Sequence, residues 1–374
     1  MRRSVQLLCV LALFACAMAF GQNRKTPVRT LEIGDRAPDF NLPGVDGRNY
    51  GLKDFADARI LVIIFTCNHC PTAQAYEERI KKIVTDYRDK GVAVVAISPN
   101  DPKAVRLDEL GYTDLSDSFE EMKIRAKHKG FNFPYLYDGD GKQEASRAYG
   151  PTATPHVFIF DEARNLRYVG RIDNSERESG VKTHDACNAI EALLAGKPVS
   201  VEKTRAFGCS IKWPEKRASV AEAMRRLAAE EVTLETVDAD ELKALRKNDS
   251  NKLRLFNLWA MWCGPCVGEM PEFVTISRMY RHRGLELITV SADPTEQKDI
   301  VLKFLKDTQA SNKNLLFNTT DRDKLAEGIG ERWNGSLPYT MLVRPGGEVA
   351  YSHHDEIHVL ELRRAILKNL GPRE

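Results

Sequence analysis

The chain has 374 residues, 43% of them hydrophobic and 29% charged, with 55 basic against 53 acidic side chains. That is ordinary globular composition with enough material for two cores, and it excludes both a disordered chain and a bundle of membrane spans. A formal net charge of +2 gives no electrostatic ground for binding nucleic acid.

Arg2 and Arg3 lead into an apolar run over residues 7–15 and then Ala17-Met18-Ala19, the pattern of a secretory signal (residues 1–19) cleaved after Ala19. The run is far shorter than the roughly 20 residues that a spanning helix needs. Leu13-Phe14-Ala15-Cys16 resembles a bacterial lipobox, so a lipid anchor at Cys16 is the alternative to cleavage. Either way the expected location is periplasmic or otherwise extracytoplasmic. Cleavage takes the formal charge from +2 to 0 and leaves six cysteines: Cys67, Cys70, Cys187, Cys209, Cys263 and Cys266. An even count in an exported chain suggests structural disulfides. A chain this long builds a core without staples, however, and four of the six stand as CxxC pairs whose small loops restrict the unfolded chain little. Thiol-disulfide exchange accounts for them better.

Beyond a hairpin-like run through Gly44-Val45-Asp46-Gly47, residues 59–65 read as a buried strand that leads into Cys67-Asn68-His69-Cys70 and a helix from about Pro71 to Tyr87. A strand at 92–98, a long polar insertion from Pro99 and a helical run near 119–128 follow. Strands at 156–160 and 166–171 and a helix at 184–194 close this half. After a charged helical linker near 218–230 the order repeats: a strand at 253–259, Cys263-Gly264-Pro265-Cys266, a helix at 266–282 and a strand at 285–291. A helix at 295–309, strands at 339–343 and 349–353 and a terminal helix complete it. Alternating apolar strands and amphipathic helices predict an α/β fold in two similar halves.

A dithiol at a helix start is poised for exchange, because the free amides there favour the thiolate of its first cysteine. No second CxxC or histidine pair falls at zinc-finger spacing, and neither CxxC is followed by His, so no metal, haem or other cofactor is implied. His353-His354-Asp355-Glu356-Ile357-His358 looks like a metal cluster, but consecutive strand residues face opposite ways and read as surface. Cys187 lies among Ala186, Ile190 and Leu193 and reads as core. A Cys187–Cys209 structural disulfide is an alternative.

Residues 256–266, Phe-Asn-Leu-Trp-Ala-Met-Trp-Cys-Gly-Pro-Cys, with Glu269-Met270-Pro271 and Leu337-Pro338-Tyr339-Thr340, resemble the TlpA-like branch of the thioredoxins. The resemblance implies a thioredoxin domain over residues 235–374. Cys263 would be the exposed attacking thiolate and Cys266 the resolving thiol, with Pro338 a cis-proline presenting backbone to substrate. Asn257 stands where cytosolic thioredoxins carry an acid, and Glu269 would be this branch's proton-transfer acid or else a solvated first-turn carboxylate.

Ala37-Pro38-Asp39-Phe40, Phe65-Thr66-Cys67-Asn68-His69-Cys70-Pro71 and Gly208-Cys209-Ser210-Ile211-Lys212-Trp213 resemble peroxiredoxin-like (AhpC/TSA, redoxin-type) members of the thioredoxin superfamily. This implies a second thioredoxin fold over residues 30–212, joined by a linker at 213–234. The chain departs from true peroxiredoxins: Cys67 replaces their loop threonine, leaving Cys70 at the peroxidatic position, and Thr154-Pro155-His156 replaces the arginine region with a cis-proline-like loop. Exchange then needs Cys67 attacking, Cys70 resolving and Pro155 shaping the substrate loop. His69 is expected to favour the Cys67 thiolate and so raise the potential of this pair above that of Cys263–Cys266. Cys209 would shuttle the disulfide or simply pack.

These readings predict an exported thiol-disulfide oxidoreductase. Its partners would be disulfide-bearing protein clients and, by resemblance, a membrane-linked thiol reductant. The alternatives are a thiol peroxidase reduced by the second half, or a first half that is a client- or metal-binding module.

Overall fold

A computed structural model describes residues 28–330 and 332–371. The signal-like segment, with Cys9 and Cys16, lies outside the described residues. Among the described residues no helix is long and apolar enough to cross a membrane.

The first sheet runs in the order Tyr135–Tyr137, Val92–Ser98, Ile60–Phe65, His156–Phe160, Leu166–Gly170. The first three strands are parallel and the last two antiparallel. Ile60–Phe65 is buried at every position, which is why it reads as an unbroken apolar run rather than an alternating one. One face packs on the helices Pro71–Tyr87 and Asp185–Leu194 through Ile80, Ile83, Val84 and Ile190; the other packs on Phe40, Tyr50 and Tyr149. Each such side chain contributes about 1.5–3 kcal/mol on burial.

The second sheet repeats the plan with one more strand: Glu235–Val237, Lys313–Phe317, Leu285–Ser291, Leu253–Trp259, Tyr339–Val343, Val349–His354. Its first four strands are parallel and the last two antiparallel. The mixed sheets flanked by helices are two thioredoxin-like folds in tandem.

Residues 99–118, expected as a polar insertion, form the join between the two units. Val105, Leu107 and Leu110 enter the second core beside Phe273, Ile276, Met279 and Tyr280. Tyr280 donates its hydroxyl to the Thr113 carbonyl (2.6 Å), and Arg283 donates to the Gly111 carbonyl (2.9 Å). Gly111 is needed for this approach, because a Cβ there would lie 2.9 Å from the Met279 carbonyl oxygen. Asp114, buried, accepts from Arg125 of the first unit (3.2 Å) and Arg364 of the second (2.8 Å).

Candidate functional site

The second dithiol lies where the strand Leu253–Trp259 hands over to the helix Gly264–Tyr280. Cys263 is the N-cap residue and is disulfide-bonded to Cys266 in this structure. Pro265 falls in the first turn, where its missing N–H has no intrahelical partner to lose. Cys263 is 6% exposed and Cys266 0%, so the expected exposed thiol is largely covered, while neighbouring Trp262 is 59% exposed. Leu337–Pro338 is a cis peptide. Glu269 is buried rather than solvated: it accepts from the Asn257 side chain (3.1 Å) and from the Ile357 amide (3.1 Å). Burial raises its pKa to about 7 against the pull of those two donors. A carboxyl group so poised, one helical turn beyond Cys266, can hold or release a proton near neutral pH.

The first dithiol is differently built, and the strand register shows how. Phe65 pairs with His156, the residue after Pro155, and Leu258 pairs with Tyr339, the residue after Pro338. Counting from those pairs, 65 to 70 and 258 to 263, Cys70 occupies the position of Cys263. Ala73 then matches Cys266, and Cys67 matches Ala260. The two CxxC motifs are therefore offset by one helical turn. The helix Pro71–Tyr87 has Cys70 at its N-cap, with the Ala73 amide donating to its sulfur at 3.4 Å. The expectation that helix-start amides serve the first cysteine holds for Cys263 and is corrected for Cys67: in this pair they serve Cys70.

Electrostatics follow the same line. Burial opposes ionisation of Cys70, but the thiols of Cys209 and Cys67, the Ala73 amide and the charge of His69 outweigh it and hold Cys70 well below the ordinary thiol range. Cys67, lacking those amides, is pushed well above that range by burial. Cys70 Sγ lies 3.3 Å from the Thr154 carbonyl oxygen, and Cys67 Sγ 3.2 Å from the Thr154 hydroxyl, just before the cis Thr154–Pro155 peptide. Both cysteines are buried, at 3% for Cys67 and 0% for Cys70.

His69 is no exposed loop residue. It is 1% exposed and donates Nδ1–H to Asp117 Oδ2 at 2.5 Å. Asp117 also accepts from the amides of Asn68 (2.9 Å) and His69 (3.0 Å) and from the Asn100 side chain (2.8 Å). Burial works against charge on both partners, yet their mutual attraction wins: the His69 pKa is raised and that of Asp117 lowered. His69 Nδ1 stands 3.7 Å from Cys67 Sγ, the cysteine the sequence pairs it with, and its charge also favours the Cys70 thiolate. Cys67, His69 and Asp117 bring potential metal-ligand atoms within 4.8 Å of one another. The Asp117 oxygens are already committed to four donors, which makes this an ion pair rather than an open metal shell.

Asp117 and Asn100 were not identifiable beforehand, since they reach the site across 48 and 17 residues with no local spacing to mark them. Cys209 packs against Cys70, whereas Cys187 lies at the edge of the first core, so the two are not paired. His353 and His354 bond to the Glu356 and Arg332 carbonyls respectively (3.0 Å each) and share no centre. His156 is buried, with its pKa lowered to about 4 by desolvation, and accepts from the Thr152 amide (3.1 Å).

The redoxin family model matches residues 32–185, and the AhpC/TSA family model matches residues 226–352. The chain is 31% identical over 121 residues to the thiol-disulfide oxidoreductase ResA of Oceanobacillus iheyensis, a match covering 32% of this chain and 55% of that protein. The chain thus spans about half the length of that relative. It is also 31% identical over 175 residues to a candidate peroxiredoxin of Mycobacterium tuberculosis, covering 42% of this chain and 99% of that protein. The solved structure of an uncharacterised conserved protein from Geobacillus kaustophilus shares 37% identity, covering 50% of this chain and 94% of that one, with a TM-score of 0.44.

Proposed function

Since the chain belongs to the redoxin and AhpC/TSA families of thioredoxin-fold proteins, one unit in each, and is an oxidoreductase of thiols and disulfides, we propose that it works outside the cytoplasm on protein disulfides through both CxxC pairs. The observation that carries this reading is the shared placement of Cys70 and Cys263, each an N-cap cysteine set beside its own cis-proline strand. In the second unit Cys263 attacks the client disulfide, Cys266 resolves the mixed disulfide, and Glu269 handles the proton. In the first unit Cys70 is the thiolate and Cys67 the thiol that closes on it. Clients are disulfide-bearing proteins, and a membrane-linked dithiol carrier returns the electrons. The units are residues 30–212 and 235–374, behind a signal ending at Ala19 or a lipid anchor at Cys16.

The test uses the full chain with Cys67 and Cys70, or Cys263 and Cys266, changed to serine. Insulin-disulfide reduction should fall with either double change and vanish with both. Activity unaffected by the loss of Cys263 and Cys266 would overturn the reading. A second reading, thiol peroxidase, is favoured by one observation: a buried, amide-stabilised thiolate at the peroxidatic position, which admits a small oxidant more readily than a protein. Rapid peroxide consumption lost only with Cys70→Ser would decide for it.

A further inference from the structure

The first dithiol is slightly more enclosed than the second, whose Cys263 is 6% exposed, and gives an incoming protein little surface to reach. Exchange needs a thiolate to approach along the axis of the bond it breaks, and Cys67 and Cys70 are enclosed at 3% and 0% exposure. A third thiol adjoins them. Cys209 is half-buried, the most open of the three, and packs against Cys67, Cys70 and Ala73.

The backbone holds Cys209 there. Cys209–Ser210 pairs antiparallel with Ala153–Thr154, which sets Cys209 opposite Thr154, the residue whose carbonyl oxygen lies 3.3 Å from Cys70 Sγ. Gly208 makes this approach available. Its φ is +135°, and a Cβ there would fall 2.0 Å from the Thr154 carbonyl oxygen. The Cys209 amide donates to Cys70 Sγ at 3.3 Å. Cys70 therefore adjoins two thiols, those of Cys67 and Cys209, of which Cys209 is the more exposed.

We propose that Cys209 is the outlet of the first dithiol: Cys70 exchanges its disulfide partner between Cys67 and Cys209, and dithiol proteins from outside react at Cys209. This deepens the thiol-exchange reading above and rests on it.

The steps balance. From an oxidised Cys67–Cys70 bond, the Cys209 thiolate attacks Cys70 Sγ. The Cys67–Cys70 bond breaks as the Cys70–Cys209 bond forms, and Cys67 leaves as a thiolate that takes up the proton Cys209 gave up. Nothing is oxidised or reduced overall. A thiolate of an external dithiol protein then attacks Cys209 Sγ and expels Cys70. Its second thiol releases Cys209, so two electrons pass to the chain and the external protein leaves as a disulfide. Cys70 is the right leaving group, because the Ala73 and Cys209 amides receive its charge. The reverse sequence oxidises a client by the same route.

The test keeps the full chain with Cys263→Ser and Cys266→Ser, so that only the first cluster reports. In this background Cys67→Ser, with Cys67→Ala beside it in case one fails to fold, should hold a Cys70–Cys209 disulfide after equilibration with a thiol redox buffer, read by peptide mapping without reduction. Cys209→Ser and Cys209→Ala should slow reduction of the Cys67–Cys70 bond by a protein dithiol at least about tenfold, while reduction by a small dithiol changes less. Cys70 and Cys209 both remaining alkylatable in the Cys67 variants would overturn the inference, as would wild-type rates with the protein dithiol in the Cys209 variants. Failure of the parent chain to react with any protein dithiol would instead overturn the exchange reading, and mapping in the Cys67 variants would still report on the Cys70–Cys209 bond.

Discussion

Replacing Asp117 by asparagine should both destabilise the first unit and weaken its thiolate. Asp117 has no exposed side chain and is tied by hydrogen bonds to Asn68, His69 and Asn100. Asparagine keeps the shape but removes the charge that offsets a buried imidazolium, and breaking such a pair costs about 3–5 kcal/mol. For a unit of this size each kcal/mol moves the melting midpoint by about 2–4 °C, so a fall of about 6–20 °C is expected. The pH dependence follows from both partners. His69 has a raised pKa, so its contribution is complete below its ordinary value of 6.5 and is lost as pH rises through the raised one. Asp117 has a lowered pKa, so its contribution is present above its ordinary 3.8 and is lost as pH falls through the lowered one. The deficit of Asp117→Asn should therefore be largest between those two ordinary values. Calorimetry of the reduced full chain across that range, with ultraviolet absorbance of the Cys70 thiolate against pH, measures both effects. A variant that melts with the wild type throughout and titrates its thiolate unchanged would refute the reasoning.

Glu269→Gln should gain on the wild type as pH rises. The folded protein keeps the Glu269 proton up to about 7, so wild-type stability declines as pH rises from 4.5 through that value. Allowing for solvent screening of a group that is not fully enclosed, the variant should gain about 1–2 kcal/mol between acid and mildly alkaline denaturant melts; parallel curves would contradict this. Gly208→Ala should cost about 1–3 kcal/mol in chemical denaturation, because the positive φ and the Thr154 carbonyl both resist a Cβ. In redox titrations of the full chain, Cys67–Cys70 should be the more oxidising pair, since His69 and two amides stabilise its reduced form. His69→Ala should shift it toward Cys263–Cys266, and an unmoved potential would count against that cause.

Much of the fold was legible because its central strands are unbroken apolar runs. The strands Val92–Ser98, His156–Phe160, Leu253–Trp259, Leu285–Ser291 and Tyr339–Val343 stand where hydrophobicity puts them. The helix Pro71–Tyr87 is marked by its opening proline and its apolar repeat. Glu235–Val237 and Lys313–Phe317 were illegible, being short and begun by exposed charged residues. The helices Ala239–Lys247 and Arg322–Ile329 are likewise short and polar. In the site, the four dithiol cysteines and both prolines came from motif. The offset between the motifs did not, because CxxC spacing is the same whichever cysteine caps the helix. The pairing of Phe65 with His156 and of Leu258 with Tyr339 reveals it, together with the N-cap positions of Cys70 and Cys263. Asp117 reaches His69 through tertiary folding alone, and Val105, Leu107 and Leu110 are too sparse within their polar segment to announce an interface.

That segment ties two properties that are usually measured apart. Residues 105–114 are held by the second unit, and three residues further on Asp117 grips the histidine that supports the Cys70 thiolate. The surroundings of the first pair therefore reach, through Asp117, to residues anchored by the second unit. A first unit cut free at residue 212 would carry every cysteine of its cluster yet lose the contacts that hold residues 105–114, next to Asp117. By the same logic, a partner protein that pried the two units apart would disturb those surroundings without touching the thiolate.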